Sequence, residues 1–328
     1  MRKSVLILNT GGTISMRATE RGFAPDPDFL GRLKNIVADP DFAPGLDVQF
    51  AEMTPLLDSS NMEPGDWRRI ADEITRLGEK ADGVLLLHGT DTLAFTASAL
   101  SFLLEPSRLP VIITGSQIPM SEADSDGLSN VQGALAALAE DRSRDVFVWF
   151  GGRLMKGNRT TKVHSFGLAA FDAPRMRGRD AKPGELRAAL PNVEEGRAMA
   201  QVGLLKLYPG ISGAVVDALV DSGLQGLVME CYGAGNGPDL NTGFMAALKR
   251  AVDAGVVVVA VSQCHFGSVD LYRYATGRAL ADIGIISGSD MTVEAAVTKL
   301  QVLLSLTSDI PAVAEAMTQD LRGEVTIT

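Results

Sequence analysis

The chain has 328 residues, 46% hydrophobic and 21% charged, a composition that supports a large buried core and excludes global disorder. Its formal net charge of −10 repels phosphate backbones and anionic lipid, so neither nucleic acid nor a membrane surface is an expected partner. Two cysteines, Cys231 and Cys264, can make at most one bridge, and three histidines, His88, His164 and His265, make a rich metal site a poor expectation; no cofactor or metal is expected.

The N-terminus, MRKSVLILNTGG, places Arg2 and Lys3 before an apolar run, as a secretory leader does. That run, Val5 to Leu8, is shorter than the roughly seven residues a leader requires. It reads as a buried first strand, Ser4–Asn9. No apolar stretch reaches the roughly 18 residues of a membrane span, and a cytoplasmic location is expected by elimination. Further strands are expected at Asp47–Met53, Gly83–His88, Pro110–Thr114 and Val146–Phe150. The unbroken VLLL at 84–87 suggests a strand buried on both faces, as in a parallel sheet. Helices are expected at Phe29–Ala38 after a capping Asp28, at Pro64–Lys80, at Thr92–Leu104 and at Gly127–Glu140. This alternation predicts a doubly wound α/β domain.

At 178–198 the pattern changes to GRDAKPGELRAALPNVEEGRA, which lacks sustained apolar periodicity. Beyond it strands are expected at Val202–Tyr208, Gly226–Glu230 and Val256–Ser262, and helices at Ser212–Ser222, Thr242–Ala254, Thr292–Leu306 and Ile310–Thr318. The fold class is therefore α/β: a larger N-terminal doubly wound domain (1–185), a linker (186–200) and a smaller C-terminal α/β domain (201–328).

Ligands of open α/β sheets bind beyond the carboxyl ends of the strands. Four polar loops lie there: NTGGTIS (9–15), LLDSSN (56–61), HGTDT (88–92) and TGSQIP (114–119). In the first, Gly11 and Gly12 permit a sharp turn whose amides can face an oxyanion, and Thr13 follows; a plain glycine turn is the alternative. The spacing fits neither the dinucleotide fingerprint nor a Walker loop. In HGTDT, Thr90 or Asp91 is either the N-cap of the next helix or a site residue, and Asp91 could hold an ammonium group. His88 reads as a structural histidine beneath the turn. Lys162, in GNRTTK (157–162), is either a proton carrier or a solvated surface lysine. Asp58, Ser59 and Ser60 suit a zwitterion, or form the turn before Pro64 with Ser60 or Asn61 near the helix cap.

Taken together these segments resemble the bacterial-type L-asparaginases. Both signatures of that family are whole, ILNTGGTIS at 7–15 and GVLLLHGTDTL at 83–93. LLDSSN, TGSQIP, the SDG at 125–127, GNRTTK, YPGIS (208–212) and YATGRAL (274–280) extend the likeness along nearly the whole chain, most like the cytoplasmic type I branch. The resemblance implies L-asparagine amidohydrolase activity, with glutamine as an alternative substrate. It implies Thr13 as nucleophile and Thr90 as a second catalytic threonine partnered by Asp91 and Lys162. It also implies Asp58, Ser59 and Ser60 as the substrate loop and Asp91 as ammonium ligand. Asn236, in YGAGN, is implied to help complete a neighbouring subunit's site in a homodimer or dimer of dimers. One position departs from the pattern: the tyrosine expected after Thr13 is Phe23. A weakly active amino-acid sensor, or an amidotransferase subunit, would be the rival classes.

Overall fold

The structure is a computed structural model that describes residues 2–105, 109–140, 144–176, 189–191, 194 and 196–326. The chain divides into two compact units, Met1–Ala173 with Asp180–Gly184 and Pro174–Arg179 with Glu185–Thr328. Part of the expected linker, 186–200, falls outside the described residues.

The first unit contains, in chain order, β1 (Lys3–Gly11), the hairpin β2 (Met16–Thr19) and β3 (Gly22–Pro25), α1 (Phe29–Val37), β4 (Leu46–Leu57) and α2 (Pro64–Leu77). It continues with β5 (Gly83–Leu87), α3 (Leu93–Leu103), β6 (Val111–Thr114), α4 (Gly127–Ala139), the pair β7 (Val146–Phe150) and β8 (Arg153–Lys156), and the pair β9 (Thr161–Lys162) and β10 (Phe171–Asp172). Among the described residues the main sheet has six strands in the order β4-β1-β5-β6-β7-β8. All neighbours are parallel except β7 and β8. Every residue of β5 is buried, as its apolar run requires. On one face Val5, Ile7, Leu85, Leu87 and Ile112 pack with Phe29 and Leu33 of α1 and Val131, Leu135 and Leu138 of α4. On the other, α2 lies against β1, and α3 against β6 and β7.

The second unit contains β11 (Val202–Lys206), α5 (Gly213–Asp221), β12 (Gly226–Cys231), α6 (Thr242–Asp253), β13 (Val257–Ser262), α7 (Ala275–Asp282), β14 (Ile286–Ser287), α8 (Val293–Leu306) and α9 (Ile310–Thr318). Its four-stranded sheet is parallel, in the order β11-β12-β13-β14.

Several expectations shift. β4 runs to Leu57, four residues beyond the expected Met53, and α2 ends at Leu77, its expected last turn being the 3-10 segment Gly78–Lys80. The hairpin β2–β3, the strand β8 and helix α7 lie where no element was expected, because short, half-exposed segments carry little apolar periodicity. Asp28 occupies the N-cap position of α1, but its side chain makes no capping bond. The cap of α2 is Glu63, whose N–H donates to Asp66 at 3.0 Å, and neither Ser60 nor Asn61 serves. The two cysteines do not pair: Cys231 is buried and Cys264 exposed.

Candidate active site

The strand order places β1 beside β5, with β4 on the outer side of β1, so the chain reverses its direction of winding between β1 and β5. A crevice opens at such a switch point beyond the strands' carboxyl ends. NTGGTIS leaves β1 there and HGTDT leaves β5 there. Glycine lets the loops touch. A methyl group on Gly12 would lie 2.2 Å from the Gly89 nitrogen, and one on Gly89 would lie 2.3 Å from Ser59 Oγ. A methyl group on Gly115 would lie 2.2 Å from the His88 carbonyl oxygen. No side chain fits in these spaces, so all four polar loops converge on one spot. Thr13 and Thr90 each follow a member of the Gly12–Gly89 contact directly.

Thr90 is 6% exposed. Its Oγ1 accepts a hydrogen bond from Lys162 Nζ at 2.9 Å and donates to Gln117 Oε1 at 3.1 Å. Lys162 also donates to Asp91 Oδ1 at 3.0 Å, with side-chain exposures of 21% for the lysine and 62% for the aspartate. Neither Thr90 nor Asp91 caps α3. The N-cap is Thr92, whose hydroxyl instead donates to the Ser59 carbonyl at 2.8 Å. Both side chains are thereby left to Lys162, which is no solvated surface lysine. It sits on β9 just after Asn158, Arg159 and Thr160, all buried, and Thr160 is tied to the Lys156 carbonyl at 2.7 Å.

Gln117 was not singled out from the sequence, although its loop follows the next strand over and the topology rule covers it. Its side-chain amide donates to the carbonyls of Ser165 (3.0 Å) and Gly167 (3.3 Å). Its backbone N–H is held by Asp126, which also takes the Ile118 N–H and the Asn130 side chain.

In the LLDSSN loop, Ser59 is buried against Gly89, while Asp58 and Ser60 are exposed. Asp58 accepts from the Ser60 backbone at 3.1 Å, the Ser60 hydroxyl at 2.8 Å and Asn61 at 2.9 Å. The Ser60 hydroxyl contributes most to holding this carboxyl below its ordinary range, against the opposing effect of partial burial. His88 is the expected structural residue: Nδ1 donates to the Gly89 carbonyl at 2.7 Å and Nε2 accepts from Thr96 at 3.0 Å. Burial depresses its pKa to about 4. Thr13 begins a 3-10 turn and is partly exposed. Phe23 lies on β3 opposite Ala18, 55% exposed. Asn236 belongs to the second unit, where it bridges to Tyr232 and accepts from the Thr276 hydroxyl at 2.6 Å.

Residues 4–180 match the family described as asparaginase, N-terminal, and residues 201–317 match the glutaminase/asparaginase C-terminal domain. L-asparaginase 1 of Escherichia coli strain K12 is 42% identical over 342 residues, an overlap of 99% of this chain and 98% of its own. The chain belongs to the asparaginase family. Among solved asparaginases, L-asparaginase I of Vibrio cholerae O1 biovar eltor superposes with a TM-score of 0.87 at 38% identity, covering 100% of both chains. A probable cytoplasmic L-asparaginase of Campylobacter jejuni gives a TM-score of 0.79 at 27% identity, covering 97% of this chain and 100% of its own. The asparaginase N-terminal match contains the whole convergence of loops around Thr13, Thr90, Asp91 and Lys162.

Proposed function

We propose that this chain is an L-asparagine amidohydrolase, converting asparagine and water to aspartate and ammonia through an acyl-threonine intermediate. The observation that carries the reading is Lys162 Nζ lying 2.9 Å from Thr90 Oγ1 and 3.0 Å from Asp91 Oδ1, beside the turn that presents Thr13. Thr13 Oγ1 attacks the side-chain amide carbon, and its proton passes to the Thr90–Lys162 pair. The same proton is delivered to the leaving nitrogen, ammonia departs, and an aspartyl ester remains on Thr13. A water molecule deprotonated by the pair then adds to the ester, the bond between the acyl carbon and Thr13 Oγ1 breaks, and the pair returns the proton to Thr13 as aspartate leaves. Backbone amides of the glycine turns are the donors assigned to the oxyanion. Asp91 and Asp58 receive the substrate ammonium, and the Ser59 and Ser60 hydroxyls its carboxylate or amide. With Phe23 in the tyrosine's place, activation of Thr13 falls to the Thr90–Lys162 pair.

The proposal extends to assembly and place. The chain acts as a homodimer or homotetramer with Asn236 near the site of a neighbouring subunit, and with domains at 1–185 and 201–328 joined by 186–200. It is cytoplasmic: a similar protein carries that description, and no described helix is long and apolar enough to cross a membrane. Ammonia release from asparagine and from glutamine tests the activity; one methylene in the pocket separates the two by roughly 1–3 kcal/mol. Thr13→Ala is expected to cut turnover at least about a thousandfold with the melting temperature unchanged. Near-normal hydrolysis by that variant would remove Thr13 from the reaction.

A further inference from the structure

The side chain of Asn9 is fully buried at the point where β1 leaves the sheet toward Thr13. Here the pairing with β4 breaks: Asn9 stands opposite Glu52, but Gly11 stands opposite Leu57. Two steps along one strand thus match five along the other, and the regular ladder cannot hold the turn. The Asn9 carboxamide fills that gap. Its Oδ1 accepts the Gly11 N–H at 3.1 Å, and its Nδ2 donates to Glu52 Oε2 at 2.8 Å. Because an N–H can only donate and a carboxylate can only accept, these two contacts fix which way the amide faces. Next to it, the Thr10 hydroxyl bonds the Leu87 carbonyl at 2.8 Å, tying β1 to the end of β5. Gly11, at φ +116°, is pressed so closely on β4 that a methyl group would lie 2.3 Å from the Leu57 carbonyl oxygen.

We infer that Asn9, anchored by Glu52, is a positioning residue for the nucleophile: it fixes the Gly11–Gly12 turn and through it the place of Thr13. Asn9 touches no reacting atom. Its contribution is to hold Thr13 within the narrow distance range from which attack is productive, where an error of about 1 Å can cost on the order of a hundredfold. The inference rests on Thr13 being the nucleophile.

The test reverses the polarity of the pair. In Asn9→Asp, the second carboxylate oxygen faces Glu52 across a former hydrogen bond, the two repel, and the acceptor of Gly11 N–H is drawn away. Adding Glu52→Gln restores a donor, now on the β4 side, and with it the bond. With asparagine as substrate, Asn9→Asp is expected to lower kcat about tenfold while KM stays within about twofold. The double variant Asn9→Asp/Glu52→Gln is expected to recover most of the lost kcat. Glu52→Ala leaves Asn9 intact, changes only an exposed residue, and is expected to lower kcat by a smaller factor; it serves if Asn9→Asp does not fold. An unchanged kcat in Asn9→Asp or, should that variant not fold, in Glu52→Ala overturns the inference. So does a fall in melting temperature with kcat intact, or a double variant no better than Asn9→Asp. Thr13→Ala, assayed beside them, fails or upholds the nucleophile assignment independently.

Discussion

His88 lies directly under the turn that carries Thr90, and its burial makes the stability of the first unit depend on pH. The Gly89 carbonyl can only accept, so Nδ1 carries the ring's hydrogen, and Nε2 is the free base that receives the Thr96 hydroxyl. A proton arriving at Nε2 would have to displace that donor and would face Met62 Sδ, 3.0 Å away. Burial lowers the pKa from 6.5 to about 4, partly opposed by the Gly89 hydrogen bond. Between those values the unfolded chain holds the proton and the folded chain does not. Stability therefore rises with pH through this window, and is lost as pH falls from 6.5 toward 4. From these pKa values the loss between pH 7 and pH 5 is about 2 kcal/mol, approaching about 3 kcal/mol below pH 4. Urea unfolding at pH 7 and pH 5 measures it. His88→Asn keeps a donor for Gly89 and has no titrating ring, so it should be less stable at pH 7 yet lose about 2 kcal/mol less than the parent on acidification. Equal losses in the two proteins would refute the assignment.

Gly89→Ala puts a methyl group 2.3 Å from Ser59 Oγ and 3.2 Å from the Gly12 Cα. It is expected to cost about 1–3 kcal/mol and to lower kcat on the order of a hundredfold, read by thermal melting and ammonia release. Wild-type values for both would mean that the loop contact is loose. Lys162→Met keeps the length of the side chain and removes its contacts with Thr90 and Asp91; kcat should fall by roughly 10²–10⁴ with a much smaller change in KM, and an unaffected rate would exclude the lysine from proton transfer. In the second unit, Lys299 and Glu324 form an ion pair at 2.6 Å with both side chains fully buried. Lys299→Met removes the countercharge of a buried carboxylate, which keeps only the backbone N–H bonds of Leu321 and Arg322 among the bonds described. It is expected to destabilise the protein by about 3–5 kcal/mol in urea unfolding, whereas a loss below about 1 kcal/mol would mean that the pair is readily dispensed with.

The α/β architecture was legible because the central strands of the first unit's main sheet are parallel and covered on both faces, which forces unbroken apolar runs such as VLLL at 84–87 onto them. What escaped notice has the opposite character. β2 and β3 are mostly exposed strands of four residues each, paired among the described residues only with each other, so no buried face imposes a period of two on them. The extension of β4 to Leu57 escaped for a related reason: Thr54 and Pro55 are exposed on a strand at the edge of the sheet, where proline is tolerated.

The site was legible as a set of loops but not as an assignment of roles within them, and the HGTDT turn shows why. From sequence, Thr90, Asp91 and Thr92 are almost equivalent as helix caps, since each has a side-chain oxygen at a plausible position. The decision depends on where the first turn of α3 begins, and that is set from outside the helix. Gly89 is wedged between Gly12 and Ser59, which fixes the end of β5, and the Thr92 hydroxyl is drawn to the Ser59 carbonyl. The N-cap therefore falls on Thr92, and its side chain does not bond the helix amides at all. Thr90 and Asp91 are left in the turn before it, facing a lysine that arrives 71 residues later in the chain from Asp91. Local propensity carries no information about a partner that distant. A helix whose N-cap makes no side-chain bond forgoes about 1 kcal/mol of stabilisation. Here that loss accompanies a threonine and an aspartate held on Lys162 instead, and the same glycine contacts that misalign the cap bring the Thr13 turn to their side.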